Sequence, residues 1–285
     1  MGRQQKNRIV ALAQRGTAID GREELRNVLT LPYRWDVGIL GDARAVLKDI
    51  LEVLKSQSTK RSYKQGEYFK EIQALRRQWE EELEEQRNSD PMSIARVLKE
   101  VRHFLERDAI VVSSAGLPQE LVHQQLPMYL PRTYISSGGY STMGFGVPAA
   151  IGACLGAPGR IIVAIVGDGG FQMTIQELGT IAQENLPVKI LLLNNNFLGM
   201  VRQWQQMFYE KRYSFVQLDN PDFIHVANGF RIPGKKITKR EELKLGLKHL
   251  LKSQGPFLLE VVVGKEDNVF PMMPTGASVE EMRLE

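Results

Sequence analysis

The chain has 285 residues, of which 43% are hydrophobic and 25% are charged, as in an ordinary soluble globular protein. The 37 Lys and Arg residues exceed the 33 Asp and Glu residues only slightly, and no basic block is interleaved with aromatic residues, so the sequence argues against nucleic-acid binding. No apolar run approaches the ~18 residues that a membrane span needs, and the first residues lack the apolar core of a secretory signal. A single cysteine, Cys154, cannot form an internal disulfide bond, which favours a cytoplasmic location.

The first third of the chain gives weak structural signals. Residues 1–60 are basic and irregular, with a short helix predicted over residues 43–54, and residues 56–64 are polar and linker-like. Over residues 66–88, apolar side chains recur three or four positions apart on an otherwise charged segment. This spacing predicts a connecting helix that buries one stripe and exposes the rest.

Beyond Pro91, which is predicted to open a helix over residues 93–105, apolar strands alternate with helices. The strands are rich in Ile, Val and Leu, which is typical of a parallel sheet covered by helices on both faces. The predicted strands are 109–113, 161–166, 188–193 and 257–263, and the predicted helices are 146–155, 173–183, 198–207, 223–228 and 240–253. The fold class is therefore α/β.

Two hard oxygen side chains follow two neighbouring strands of this sheet. Asp168 stands in the turn Gly167-Asp168-Gly169-Gly170, and Asn195 follows it 27 residues later in Asn194-Asn195-Asn196. Ligands of open α/β sheets bind at the carboxyl ends of the strands. The glycines allow a phosphate to approach the backbone closely, and oxygen ligands suit Mg²⁺. A simple turn between a strand and a helix would also use such residues without any ligand.

The GDG…NN pattern resembles the signature of thiamine diphosphate (ThDP) enzymes, and its surroundings are similar to the catalytic subunit of acetolactate synthase (acetohydroxyacid synthase). The segments that carry this resemblance are Ser137-Gly138-Gly139, TMGFGVPAAIG at 142–152, LGMVRQWQ at 198–205 and EDNVFPM at 266–272. The resemblance extends from about residue 90 to the end and is fainter over residues 37–51. It implies a remnant of the family's middle domain at 1–60, a connecting helix at 61–90 and a ThDP diphosphate-binding domain at 91–285.

The resemblance also implies a role for individual residues. Asp168 and Asn195 would give side-chain oxygens to Mg²⁺, and the backbone carbonyl of Phe197 would be the third protein ligand. Met143 would lie under the cofactor and bend it, and Trp204 would line the substrate channel, so both are implied as catalytic residues. On position alone, a core packing role is favoured for Met143, and for Trp204 a packing role is the alternative. The implied cofactor-binding residues are Ala115, Gly116, Ser141, Met143, Gly167, Gly169, Gly170, Asn195, Gly199 and Met200.

Two segments depart from the family pattern. The loop after strand 109–113 usually reads VGQHQ, but here it is AGLPQ, so Leu117 and Pro118 replace polar residues that contact the diphosphate. In addition, Tyr140-Ser141 replaces Leu-Gly. The carbonyl of residue 141 is expected to accept a hydrogen bond from the pyrimidine amino group, and this backbone role survives the change if the backbone angles permit it.

The family reaction condenses pyruvate with a second 2-keto acid in branched-chain amino-acid biosynthesis. This reaction requires a glutamate from an N-terminal pyrimidine-binding domain. In the family, that domain is followed by a domain that binds flavin adenine dinucleotide (FAD). We find neither domain in the sequence, and we therefore expect the chain to be inactive alone. The expected partners are a pyrimidine-binding domain, further copies of the chain in a homo-oligomer, and a regulatory small subunit. Two alternatives remain: a related ThDP carboligase or decarboxylase with another substrate, and a non-catalytic cofactor-binding or assembly module.

Overall fold

The computed structural model describes residues 10–13, 37–57, 64, 66–265, 267–274 and 276–284. The chain divides into two compact units, residues 1–75 and 76–285. The boundary between them falls within a helix. The three-segment division that the sequence predicts, with boundaries after residues 60 and 90, stays a prediction.

In the first unit, two short strands pair in parallel, with Val10 opposite Val37. They are β1 (Val10–Ala13) and β2 (Val37–Leu40), and the helix α1 (Ala43–Gln57) follows them. The side chain of Asp42 accepts a hydrogen bond from the backbone N–H of Ala45 (2.9 Å), which satisfies one donor at the start of α1. The predicted helix over residues 43–54 is therefore confirmed. The prediction that residues 1–60 are otherwise irregular was wrong for the two strands, which are only four residues long.

The second unit is built on a six-stranded sheet in which every strand is parallel to its neighbours, in the order β4-β3-β5-β6-β8-β7. The strands are β3 (Ile110–Ser113), β4 (Tyr134–Ile135), β5 (Ile162–Gly167), β6 (Val188–Asn194), β7 (Gly234–Ile237) and β8 (Phe257–Val262). The α-helices are α2 (Glu67–Arg87), which begins in the first unit, α3 (Ile94–Phe104), α4 (Leu117–Gln125), α5 (Gly146–Gly156), α6 (Asp168–Gln172), α7 (Leu178–Gln183), α8 (Gly199–Phe208), α9 (Phe223–Gly229) and α10 (Arg240–Lys252).

Alternate residues of each central strand enter different hydrophobic cores, because successive side chains point to opposite faces of a sheet. On β5, Val163 and Ile165 pack in the core that contains residues of α3, α4 and α10. Ile162, Ala164 and Val166 pack in the core that contains residues of α5, α7 and α9. The predicted parallel α/β sheet with helices on both faces is therefore confirmed.

Three local features differ from the sequence prediction. The edge strands β4 and β7 were not predicted. The predicted loop AGLPQ ends at Gly116, and α4 begins at Leu117. The predicted helix over 173–183 is divided into a short 3₁₀ helix at Ile175–Glu177 and α7, and the separate short helix α6, which precedes it, was not predicted.

Two further observations concern the single cysteine and the possibility of a membrane-spanning helix. Cys154 is buried on α5, and burial raises the pKa of its thiol to about 11, so it is a packing residue with an unreactive thiol. Within the described residues, no helix combines the length and the apolar character needed to cross a bilayer.

Candidate functional site

The candidate site lies at the carboxyl ends of the two central strands β5 and β6. These strands pair in parallel with Gly167 opposite Leu193, so Asp168 and Asn195 leave the same edge of the sheet. Asp168 begins the short helix α6, and Asn195 begins the turn that leads into α8. The fold thus brings together the two residues that the spacing of the sequence predicts as metal ligands.

Asp168 is a buried carboxylate that accepts hydrogen bonds from Asn220 and from backbone N–H groups. Its side chain is 2% exposed, and its Oδ2 atom accepts a hydrogen bond from Nδ2 of Asn220 at 2.7 Å. Burial raises the pKa of Asp168, while the hydrogen bonds from Asn220 and from nearby backbone N–H groups act in the opposite direction. No Lys or Arg is among these groups. The carboxylate is therefore poorly compensated by the described protein groups alone.

The turn after β6 presents Asn195 and Phe197 to the same region. Oδ1 of Asn195, a buried side chain, accepts the N–H of Phe197 at 3.1 Å. Phe197 also forms an antiparallel bridge with Gln217, in which the carbonyl of Asn196 and the N–H of Leu198 make the bonds to the facing segment. In such a bridge, the carbonyl of the central residue points the other way. The carbonyl of Phe197 is therefore directed away from the facing segment and is not used in the bridge.

A cavity of about 70 Å³ joins these groups. Eleven of the thirteen predicted site residues line it: Ala115, Gly116, Met143, Gly167, Asp168, Gly169, Gly170, Asn195, Phe197, Gly199 and Met200. Its wall is completed by residues that were not predicted as site residues: Ile94, Leu117, Pro118, Leu193, Leu198 and Val201. The sequence prediction thus identified most of the residues that line this cavity.

Three glycines of the cavity, Gly116, Gly169 and Gly199, occupy positions where a side chain would cause a close contact or backbone strain. A Cβ atom at Gly169 would lie 2.7 Å from Cδ2 of Leu198, and one at Gly199 would lie 2.2 Å from Cδ1 of Leu117. Gly116 has a φ of 102°, which side chains strongly disfavour. The backbone therefore comes to the surface of the cavity at these positions, where its N–H groups and carbonyls can reach a ligand.

Two predicted site residues, Ser141 and Trp204, do not line this cavity. Ser141 is exposed, has a φ of 46°, and donates its hydroxyl to the carbonyl of Ser137 at 3.4 Å. The ring of Trp204 packs against that of Phe208 one turn further along α8, with centroids 4.9 Å apart and the ring planes tilted by 39°. On the first turn of α8, Met200 and its neighbour Val201 face the cavity.

Asn220 is the main polar residue that the sequence analysis missed. It lies in the segment before α9, and its amide contacts Asp168, Asn194 and Asn196. No motif or strand end marks this position in the sequence, since its only local signal is an Asn-Pro turn.

The residues of the cavity fit a metal-bound diphosphate. A carboxylate, an amide oxygen and a backbone carbonyl form a hard-oxygen set of the kind that Mg²⁺ prefers. Among the described groups that shift the pKa of Asp168, none is a Lys or Arg, so the buried carboxylate has a negative charge that a cation would compensate. The described residues contain no cluster of three or more His, Cys, Asp or Glu side chains, so the set differs from that of a typical transition-metal site.

Comparison with known proteins gives a consistent result. The family model for the C-terminal TPP binding domain of thiamine pyrophosphate enzymes matches residues 114–261, just over half of the chain. The chain is 44% identical over 187 residues to the acetolactate synthase isozyme 2 large subunit of Escherichia coli (strain K12). The aligned region covers 65% of this chain and 34% of that protein. It is 34% identical over 266 residues to the chloroplastic acetolactate synthase 1 of Zea mays, which covers 87% of this chain and 40% of that protein.

A third relative is the mitochondrial acetolactate synthase catalytic subunit of Saccharomyces cerevisiae (strain ATCC 204508 / S288c), 42% identical over 191 residues, or 67% of this chain and 28% of that protein. The chain thus spans well under half the length of each of these relatives. On the match to the family model, the chain belongs to the family of C-terminal thiamine pyrophosphate-binding domains of thiamine pyrophosphate enzymes, and it is homologous to acetolactate synthase catalytic subunits.

Proposed function

We propose that the chain provides the diphosphate-binding half of the active site of an acetolactate-synthase-like enzyme that condenses pyruvate with a second 2-keto acid. Branched-chain amino-acid biosynthesis is the corresponding pathway. The observation that carries this proposal is the buried carboxylate of Asp168 beside Asn195, at the carboxyl ends of adjacent parallel strands and in one glycine-walled cavity. The homology to acetolactate synthases supports it.

The residues of this chain would bind and orient the cofactor. Asp168, Asn195 and the carbonyl of Phe197 would hold Mg²⁺, which in turn would hold the diphosphate of ThDP. Met143 and Met200 would form an apolar wall, since both line the cavity. When bound, ThDP supplies the chemistry that decarboxylates a 2-keto acid and transfers the remaining two-carbon unit.

The proton relay of such an enzyme would come from elsewhere. Neither Glu177 nor Glu184 lines the cavity, and none of its lining residues is a glutamate. We therefore propose that a pyrimidine-binding domain, from another subunit or another part of the full protein, donates the glutamate. The exposed side chains of Met143 and Val201 at the cavity, together with the nearly fully exposed Tyr140 and Phe215, support a surface that another domain covers. FAD and a regulatory small subunit are expected from the family resemblance alone.

Calorimetry on the purified chain tests the cofactor assignment. We expect ThDP to bind in the presence of Mg²⁺ and to lose measurable affinity when EDTA removes the metal. Asp168→Asn, which keeps the shape of the side chain but not its charge, should abolish the Mg²⁺-dependent part of binding. The exposed Asp108→Asn is the matched control and should bind as the wild type does. Equal ThDP affinity in the wild type and in Asp168→Asn would refute the metal assignment.

Activity requires a separate test. The chain alone should produce no acetolactate from pyruvate above a control that contains only ThDP and Mg²⁺, because no glutamate that could act as the general acid lines the cavity. Turnover by the purified chain would show that the relay glutamate is not needed from another domain.

The oligomeric state is tested by sedimentation. At tens of micromolar, sedimentation should detect self-association of the chain, and a strictly monomeric profile would count against a homo-oligomer.

One observation supports a second candidate, a related ThDP carboligase or decarboxylase with another substrate. Leu117 and Pro118 are buried and line the cavity at the point where the acetolactate synthase pattern has polar residues. Pro118 has no N–H to donate, so the diphosphate would meet fewer donors there. Chemical identification of the products that the full protein forms from pyruvate distinguishes the two candidates.

A further inference from the structure

The side chain of Asn220 joins the ends of the two strands that carry the candidate metal ligands. Its Nδ2 atom lies 2.7 Å from Oδ2 of Asp168, 3.0 Å from Oδ1 of Asn194 and 3.0 Å from Oδ1 of Asn196. Asp168 follows β5, Asn194 ends β6, and Asn196 belongs to the turn after it. A single amide group thus cross-links both sides of the site.

The orientation of this amide is determined by its neighbours. An ionised carboxylate only accepts hydrogen bonds, so the NH₂ end of Asn220 must face Asp168. The opposite end, Oδ1, accepts a hydrogen bond from Nε2 of Gln172 at 2.7 Å. Gln172 therefore holds the Asn220 amide in the orientation that directs its Nδ2 atom to Asp168.

The orientation of the Asn194 amide is also fixed by a hydrogen bond, in this case to Glu260 on β8. Its Nδ2 atom donates to Oε1 of Glu260 at 2.7 Å, and that oxygen also pairs with Nζ of Lys236 at 2.8 Å. The side chain of Glu260 is 1% exposed, and Asn194 is also buried. Because its NH₂ end is bound to Glu260, Asn194 presents its carbonyl oxygen to Asn220 and to the N–H of Asn196. The network therefore runs from Lys236 on β7 through β8 and β6 to Asp168.

We propose that Asn220 is a positioning residue of the metal site, which sets the distance and orientation of the Asp168 carboxylate relative to the Asn194–Phe197 turn, with Gln172 and Glu260 holding the network at its two ends. This inference rests on the proposed metal-dependent function of the site. Mg²⁺ accepts little deviation from octahedral geometry, so ligands that come from two separate strands must be placed accurately. Residues that hold metal ligands in place typically change metal affinity by ~10–100-fold when they are removed.

Metal affinity measured directly tests the role of Asn220. The probe is Mn²⁺, whose free concentration is followed by electron paramagnetic resonance in the presence of excess ThDP, with Mg²⁺ as competitor. The variants are Asn220→Ala and Gln172→Ala, and the control is Asn228→Ala, an exposed asparagine on α9. Each titration is made at a temperature at which circular dichroism shows that the protein is folded, so that a loss of stability alone does not change the affinity.

We expect Asn220→Ala to weaken Mn²⁺ binding by ~10–100-fold, Gln172→Ala to weaken it less, and Asn228→Ala to have no effect. Wild-type affinity in Asn220→Ala would overturn the inference and leave the proposed function intact. A wild-type chain that binds no Mn²⁺ would refute the proposed function, and the inference with it. If Asn220→Ala does not fold, Gln172→Ala decides the question, and unchanged affinity in that variant overturns the inference.

Discussion

The side-chain amide of Gln203 forms two hydrogen bonds with the main chain of Val269, 66 residues further along the chain. Nε2 of Gln203 donates to the carbonyl of Val269, and the N–H of Val269 donates to Oε1 of Gln203, both at 2.9 Å. Gln203 lies on α8, whose first turn lines the cavity, and it is fully buried. This pair therefore joins the C-terminal segment to the helix that begins at the candidate site.

We expect Gln203→Ala to lower the free energy of unfolding by about 2–3 kcal/mol, because it leaves the buried N–H and carbonyl of Val269 without partners. Urea denaturation followed by circular dichroism measures this change. The matched control is Gln205→Ala. Gln205 makes the same pair of bonds to Ser214, at 3.1 and 2.8 Å, but Ser214 is exposed and water can replace the amide. A cost below about 1 kcal/mol is expected for the control, and equal costs would contradict the explanation by burial.

The strands that could be predicted from the sequence are those buried on both faces. β3, β5, β6 and β8 appear as runs of Ile, Val and Leu, because each packs in both hydrophobic cores. The edge strands lack this signal. β7 has the sequence GKKI, and β4 has only two residues, so neither forms a continuous apolar run.

The site could be predicted wherever a strand end fixes the position of a residue. Asp168 and Asn195 directly follow the neighbouring strands β5 and β6, and Phe197 is two residues further on, so the ends of the strands bring these residues to the same edge of the sheet. Asn220 comes from a segment beyond α8, and its position depends on the bridge between Phe197 and Gln217, which no local pattern predicts. Contacts of that kind become visible only when the tertiary structure is known.

A pair of glycine substitutions tests the close packing around the cavity. A Cβ atom at Gly199 would collide with Leu117, a buried residue that cannot move easily, and would lie 3.1 Å from Nδ2 of Asn195. We expect Gly199→Ala to destabilise the chain by about 1–3 kcal/mol and to weaken ThDP binding. The control is Gly152→Ala on α5, where nothing lies within 4 Å of a Cβ atom. It should stabilise the helix by about 0.5–1 kcal/mol, and destabilisation by both variants alike would refute the packing argument.

Two roles are proposed for Trp204. The family resemblance implies a role in the substrate channel, and the contact with Phe208 indicates a role in packing. In the complete enzyme, we expect Trp204→Leu to lower the ratio of 2-aceto-2-hydroxybutyrate to acetolactate by roughly tenfold, since an apolar wall favours the extra methylene of 2-ketobutyrate. A competition assay with pyruvate and 2-ketobutyrate measures this ratio. Phe208→Leu removes the ring against which Trp204 packs and serves as the control. The channel role would be wrong if Trp204→Leu left the ratio unchanged, or if both variants changed it equally.

The stability of the chain should fall with rising pH because of Asp267. Burial raises the pKa of this carboxyl to about 6, although the N–H of Ile94 donates a hydrogen bond to its Oδ2 atom at 2.5 Å. The folded state therefore binds the proton more tightly than the unfolded state, whose carboxyl has the ordinary aspartate pKa of about 4. Below about pH 4 both states are protonated, and above about pH 6 the folded state carries a buried charge. Between these values, the free energy of unfolding should fall by about 3 kcal/mol as the pH rises.

Urea denaturation of the wild type and of Asp267→Asn between pH 4 and pH 7.5 measures this contribution. The asparagine can still accept the N–H of Ile94 but cannot ionise, so the variant should lose less stability than the wild type as the pH rises. Asp168, whose pKa is also raised by burial, contributes in the same direction in both proteins, and the comparison between them isolates Asp267. Asp108→Asn, at an exposed position, should follow the wild-type curve. Parallel curves for the wild type and Asp267→Asn would show that Asp267 does not titrate with a raised pKa in the folded chain.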